Sequence, residues 1–173
     1  MPIVSIEING VLKTPEVDQS CWISESAWII GDVKMGSENV VYQGVLIRGD
    51  FAKIKIGNKN VFQDACIINT AEGCRTQIGD NNLVGFHAII HGATVKNNAV
   101  VGIQSVLMPS VIVENDAMVG ATSFVGMGKK VPANQKWIGR ELKGENNQGK
   151  IWEAGRISWR KMGLMMKNQT QKP

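Results

Sequence analysis

The stretch that decides the fold is residues 78–107, IGDNNLVGFHAIIHGATVKNNAVVGIQSVL. Apolar residues recur at every sixth position in it: Ile78, Val84 and Ile90, then Val95, Val101 and Leu107. The rhythm extends in both directions. Upstream it gives Met35, Val41, Ile47 and Ile56, Phe62, Ile68; downstream it gives Val113, Val119, Val125 and Val131. All sixteen anchors are apolar in a chain that is 43% hydrophobic, so composition alone does not produce the pattern. A helix would return an apolar residue every 3.6 positions, and a single strand would alternate every two. A period of six suits a short strand followed by a corner. Three such faces close a triangular coil, and stacked coils place each anchor above the last. The sequence therefore predicts an all-β parallel solenoid.

Small residues reinforce the reading. Gly36, Gly57, Gly79, Gly85, Gly102, Gly120 and Gly126 each follow an anchor and are expected to turn the corners, where glycine has the least steric penalty. Many of the nineteen glycines are thereby accounted for. Asn39, Asn60 and Asn82 recur at one inward offset and predict a side-chain hydrogen-bond ladder. Cys66 falls at an equivalent inward offset and is read as core. The rhythm slips after Ile47, Ile68 and Ile90, always at the third face, so residues 48–53 and 69–76 are expected to protrude from one edge. Protrusions stacked on one edge point to a site or an interface. Cys74 lies in the second of them and would be reactive only where its thiolate is stabilised.

The anchors stop at Val131, giving a division into a solenoid at 1–131 and a linker, helix and basic tail at 132–173. Apolar spacing predicts a helix over about 150–167, despite Gly155 and Gly163, each of which weakens a helix by about 1 kcal/mol relative to alanine. Trp152 and Trp159 are read as packing residues of this helix, and NQTQKP (168–173) as frayed. Residues 1–128 hold 8 Lys/Arg against 12 Asp/Glu, whereas residues 129–173 hold 11 against 3. The basic tail is read as lying against the acidic body or a protein partner. It has no RNA-binding motif, so no nucleic acid is expected. No apolar run approaches the ~20 residues of a membrane span, and no secretory signal is visible. Three cysteines without a CxxC pattern suit a reduced, cytoplasmic setting.

Gly31-Asp32-Val33, Leu46-Ile47-Arg48-Gly49-Asp50, Ile56-Gly57, Gln63-Asp64, Ile78-Gly79-Asp80-Asn81 and Ile90-His91-Gly92 together resemble the γ-class carbonic anhydrase-like family over about residues 10–131. The resemblance implies a left-handed parallel β-helix of hexapeptide repeats with a C-terminal α-helix, assembled as a homotrimer. It implies that Arg48, Asp50 and Asp64 form an ion-pair cluster at the trimer interface and that Gln63 lies beside the cleft between subunits. Catalytic members hold zinc there with three histidines from two chains. This sequence departs from that pattern. Asn69 and Phe86 stand where two of the histidines are expected, and only His91 remains. An amide oxygen is a poor zinc ligand, and a phenyl ring is none. With two histidines in the chain, a site built from three distinct histidines is unavailable.

Asn69 and His91 follow anchors at the same corner and are expected to stack. The expected site therefore has His91 as base with Gln63 and Asn69 as polar partners, and Phe86, His87 and Arg48 lining the cleft. No resident metal or cofactor is expected, with coenzyme A entering only as a substrate carrier. Three further readings stand beside this acyl, carboxylate or coenzyme A-linked activity. One is a non-catalytic assembly subunit, and another is a metal-dependent carbonic anhydrase with a rearranged site that includes His87. The last is a hexapeptide acyltransferase, although the segment after the last coil, Lys136-Trp137-Ile138-Gly139-Arg140, lacks the pattern usual in those enzymes.

Overall fold

In the computed structural model, which describes residues 3–170 and their side chains through Lys167, the chain winds into a left-handed parallel β-helix of about seven turns closed by one helix. The hexad anchors are the stacking register itself. On the first face Met35 pairs with Ile56, Ile56 with Ile78, Ile78 with Val95, Val95 with Val113 and Val113 with Val131. On the second, Val41, Phe62, Val84, Val101 and Val119 form the column. On the third, Ile47, Ile68, Ile90, Leu107 and Val125 do. Every one of the sixteen is buried. Lateral stacking sets each anchor directly over the equivalent anchor of the coil below, and the three columns meet in one core, so a residue out of period would leave a gap in its column.

The solenoid extends beyond the anchors at both ends. Val17, Ile23 and Ile29 form an earlier coil under Met35, Val41 and Ile47. At the other end Trp137 stacks on Val119, one face past Val131. Both ends are finished by antiparallel strands. Ile6–Ile8 pairs with Val11–Lys13 at the start, and Gln135–Ile138 pairs with the exposed Glu141–Glu145 at the finish.

The corners differ from the expectation. The left-handed backbone conformation falls on the third residue after an anchor, and there it is carried mostly by residues with a side chain: Glu38, Lys59, Ala65, Asn81, His87 and Asn98 are examples. The glycines that directly follow anchors serve a different need. A Cβ on Gly85 would sit 2.7 Å from the Ile103 nitrogen, and one on Gly102 would sit 2.5 Å from the Ala121 nitrogen. These glycines permit the close approach of successive coils, while the turn itself is made two residues later.

The expected asparagine ladder is present. Asn39 Oδ1 accepts from the backbone and side-chain nitrogens of Asn60, both at 2.9 Å. Asn60 Oδ1 does the same for Asn82 at 2.9 and 3.0 Å, and Asn82 Oδ1 accepts from the Ala99 nitrogen at 2.8 Å. Each rung satisfies a buried amide that would otherwise be unpaired. Of the two protruding segments, 48–53 is absorbed into one long strand, Leu46–Ile56, with a register shift opposite Gly31–Val33. Only the second projects, as a short turn closed by the Ala71–Cys74 bridge.

Helix α1, Gly149–Thr170, covers the outer side of the second face. Outward-facing Trp22, Val40, Val61, Leu83, Val100 and Met118 pack there against Trp152, Leu164 and Met166. Arg156 is buried in this contact and donates from Nη1 to the Asn98 oxygen at 3.1 Å. The Tyr42 hydroxyl donates to the Trp159 oxygen at 2.7 Å. Lys167 donates to the Gln19 oxygen, so the basic tail is held against the chain's own body. The helix backbone runs through Thr170, three residues into the segment expected to fray; 171–173 lie outside the described residues.

Candidate functional site at two corners

The site builds from the two corners that bound the third face. At the corner leaving that face, Arg48, Asn69 and His91 are consecutive rungs of one ladder. The stacking register places the His91 ring against the Asn69 side chain, and Nδ1 lies 2.8 Å from Asn69 Oδ1. With a carboxamide oxygen facing it, Nδ1 carries the hydrogen and Nε2 keeps its lone pair. Both residues are half-buried. The chain turns sharply just after, at Gly92, whose φ is +59° and whose Cβ would meet Cys74 Cβ at 3.0 Å. The 71–74 turn thus packs against Gly92, the residue after His91.

On the same corner Arg48 Nε lies 3.2 Å from Asp50 Oδ2, close enough to pair as charges although not aligned as a hydrogen bond. Asp64 is not part of this group within one chain. It sits at the opposite corner, where its carbonyl accepts the His87 N–H at 3.0 Å. His87 is exposed and holds a left-handed turn position, φ +56°. Its side chain is thus carried by the corner and not by the strand that follows.

The opposite corner also carries Gln63 and Phe86. The Phe86 ring meets Trp159 of α1 edge-on, centroids 5.8 Å apart, and Trp159 meets Tyr42 the same way at 5.5 Å. Gln63 is only 4% exposed, and among the described residues its side-chain amide has no hydrogen-bond partner. It lines a cavity of about 320 Å³ between this corner and α1, together with Phe86, Trp152, Gly155 and Trp159. The sequence signalled Trp152 and Trp159 as packing residues, which they are. The cavity they wall needed the docked helix to become visible.

Cys66 is fully buried, and burial pushes its thiol far above the usual range, so it is a core residue. Cys74 is half-buried, with Sγ 3.6 Å from Ser110 Oγ. All three cysteines are free. Among the described residues no three His, Cys, Asp or Glu side chains gather closely enough to hold a metal ion. The donors at the resembling positions, one imidazole, one carboxamide and one phenyl ring, do not fit zinc. No helix of the described chain is long and apolar enough to cross a membrane.

A triangular solenoid with stacked polar side chains at its corners defines the class of hexapeptide-repeat proteins, and comparisons narrow it. The sequence matches no family model. It is 36% identical over 142 residues to γ-carbonic anhydrase 2, mitochondrial, of Arabidopsis thaliana, covering 79% of this chain and 51% of that protein. The chain thus spans about half the length of that relative. A hexapeptide transferase family protein from Anaplasma phagocytophilum has the same fold at a TM-score of 0.83 and 30% identity, covering 94% of this chain and 96% of that one. A candidate acetyltransferase of Bacillus cereus superposes at 0.88 with 28% identity, covering 91% and 94%. The chain belongs to the γ-carbonic anhydrase-like family of hexapeptide-repeat proteins.

Proposed function

We propose that the protein is a homotrimeric, cytoplasmic enzyme that acts on a small acyl or coenzyme A-linked substrate in the cleft between subunits, without a resident zinc ion. The observation that carries the reading is the Asn69–His91 hydrogen bond. It fixes the imidazole in the tautomer whose Nε2 can accept a proton, the arrangement a general base needs.

The trimer is supported by the third face. Its outward residues Trp28, Leu46, Ile67, Ile89, Val106 and Phe124 form an apolar column of half-exposed and exposed side chains, with the Arg140 guanidinium over the Phe124 ring; Trp28 is 50% exposed. Burying this column around a three-fold axis brings the Asn69–His91 corner of one chain toward the Gln63–Phe86 corner of the next. Arg48 and Asp50 then face a neighbour's Asp64, and Arg48 remains available to an anionic substrate. The reaction is acyl transfer to water or to a hydroxyl or amine. His91 Nε2 takes the proton of the nucleophile as the new acyl bond forms. The thioester C–S bond breaks, and the proton passes to the leaving sulfur. Asn69 holds the ring and stabilises the imidazolium. His87, exposed on its corner, lines the mouth of the cleft.

A second reading, a non-catalytic assembly subunit, draws on the exposed side of α1, where Ile151, Ile157, Met162 and Met165 lie open. Turnover separates the two. With acetyl- and butyryl-coenzyme A as substrates, His91→Ala is expected to lower kcat by about 10²–10⁴-fold and Asn69→Ala by a smaller factor, with the trimer intact by light scattering. Activity unchanged in His91→Ala, or absent from the parent, removes the enzymatic reading. Metal content of protein purified without a histidine tag tests the zinc-dependent alternative, which requires a bound equivalent and carbon dioxide hydration.

A further inference from the structure

The cavity beside Gln63 has features that packing alone does not require. Its walls are the rings of Phe86, Trp152 and Trp159, and Gly102 forms part of its floor. In the middle of the α1 wall stands Gly155, where an added Cβ would meet nothing within 4 Å. A glycine inside a helix weakens it by about 1 kcal/mol, and no contact among the described residues requires this one. The other wall residues leave a space of about 320 Å³, at the lower end of the ~300–1,000 Å³ of small-ligand pockets. Against this apolar lining stands one polar side chain, the Gln63 carboxamide, on a residue only 4% exposed and without a hydrogen-bond partner among the described residues. An amide lining a cavity without a protein partner is free to donate to a ligand carbonyl that enters it.

We propose that this cavity is an acyl-chain pocket that takes a medium-length apolar acyl group, whose carbonyl bonds to Gln63 and whose tail lies between Trp152 and Trp159. The inference rests on the acyl reading of the cleft and deepens it by assigning substrate class. Phe86 lines the pocket at the corner that a neighbour's His91 would approach in the proposed trimer. Chain length is therefore set by this chain's own helix, and chemistry by the contact between chains.

The experiment uses the full-length protein and N-acetylcysteamine thioesters of acetate, butyrate, hexanoate and octanoate, read by quenching of the two wall tryptophans and by calorimetry. Affinity is expected to rise about fourfold per methylene until the cavity is full. Gly155→Leu fills the cavity from the helix side. It is expected to melt at or above the parent temperature and to lose at least tenfold affinity for the hexanoyl ester, with Gly155→Ala intermediate. Affinity independent of chain length, or a Gly155→Leu protein that binds as the parent does, overturns the proposal. So does a Gly155→Leu protein that loses its assembly, because the neighbouring chain would then occupy the space. Chain-length-dependent binding with unchanged turnover in His91→Ala leaves the pocket standing and removes only the catalytic reading.

Discussion

The second and third faces of the solenoid carry equally apolar outer surfaces, yet among the described residues only the second lies under a helix. On the second face Val40, Val61 and Leu83 disappear under α1. On the third, Ile67 and Ile89 are half-exposed, and Trp28 and Phe124 more so. The first face, by contrast, presents Glu16, Lys34, Lys55, Gln77 and Thr94 to solvent. Three geometrically equivalent surfaces thus have three fates: water, the chain's own helix, and a surface that water does not suit. A monomer seldom leaves such a column bare. Where the third face is the proposed trimer contact, tertiary packing and assembly are built from the same kind of strand and differ only in whether a cover is encoded on the same chain.

The largest test of that contrast places one charge under each cover. Val61→Arg buries an unpaired guanidinium beneath α1 and is expected to destabilise the fold by about 4 kcal/mol, seen as a lowered denaturant midpoint. Ile89→Arg places the same charge on the third face. It is expected to change chain stability by only about 1 kcal/mol while dissociating the assembly in light scattering. Equal loss of fold from both would erase the distinction between the faces.

A smaller effect separates two glycines of one helix. At Gly163 an added Cβ would collide with Val40 Cγ1, whereas at Gly155 it meets open space. Gly163→Ala should therefore lower stability by about 1–2 kcal/mol, despite better helix propensity. Gly155→Ala should raise it by about 1 kcal/mol. Thermal melts of the two variants, run side by side, check the signs.

The smallest expected effect is a pH dependence confined to the covered face. Burial beneath α1, with the Asp64 carboxylate adding to it, pushes Tyr42 up to about 12 from its ordinary 10.0. The folded state thus favours the neutral phenol. Its contribution is complete below pH 10 and is lost as the pH rises toward 12. Loosening of α1, followed by tryptophan emission, is expected in that window and is expected to be absent in Tyr42→Phe.

The stacked core was legible because each anchor sits directly above the equivalent anchor of the coil below, and six residues is the length of one face and its corner. The first coil and the last face were harder to see. Val17, Ile23 and Ile29 keep the period, but Asp18, Ser24 and Ile30 follow them where later coils often place glycine. Trp137 keeps it as well, but as a bulky aromatic closing the end of the column. The Asn69–His91 pair was legible for the same reason as the anchors, since register alone makes them neighbours. Glycine misled: its position after the anchor suggested turning, whereas close coil contact is what excludes a side chain there. The cavity at Gln63 left no periodic trace. It arises where a helix with period 3.6 crosses a surface with period six, and nothing local records which residues then face each other.

The antiparallel strand at Glu141–Glu145 has a consequence for the chain's behaviour at high concentration. A stack of parallel coils is in principle a filament, since each end offers hydrogen bonds of the kind the next coil would use. Here the final coil's second-face strand, Gln135–Ile138, pairs instead with a strand running the opposite way. That strand is exposed along its whole length and carries Glu141, Lys143 and Glu145. A second molecule approaching end-on meets reversed polarity and charge in place of a continuing template. The same repeat that builds the protein would polymerise it, and five residues of reversed direction give the fibre an end.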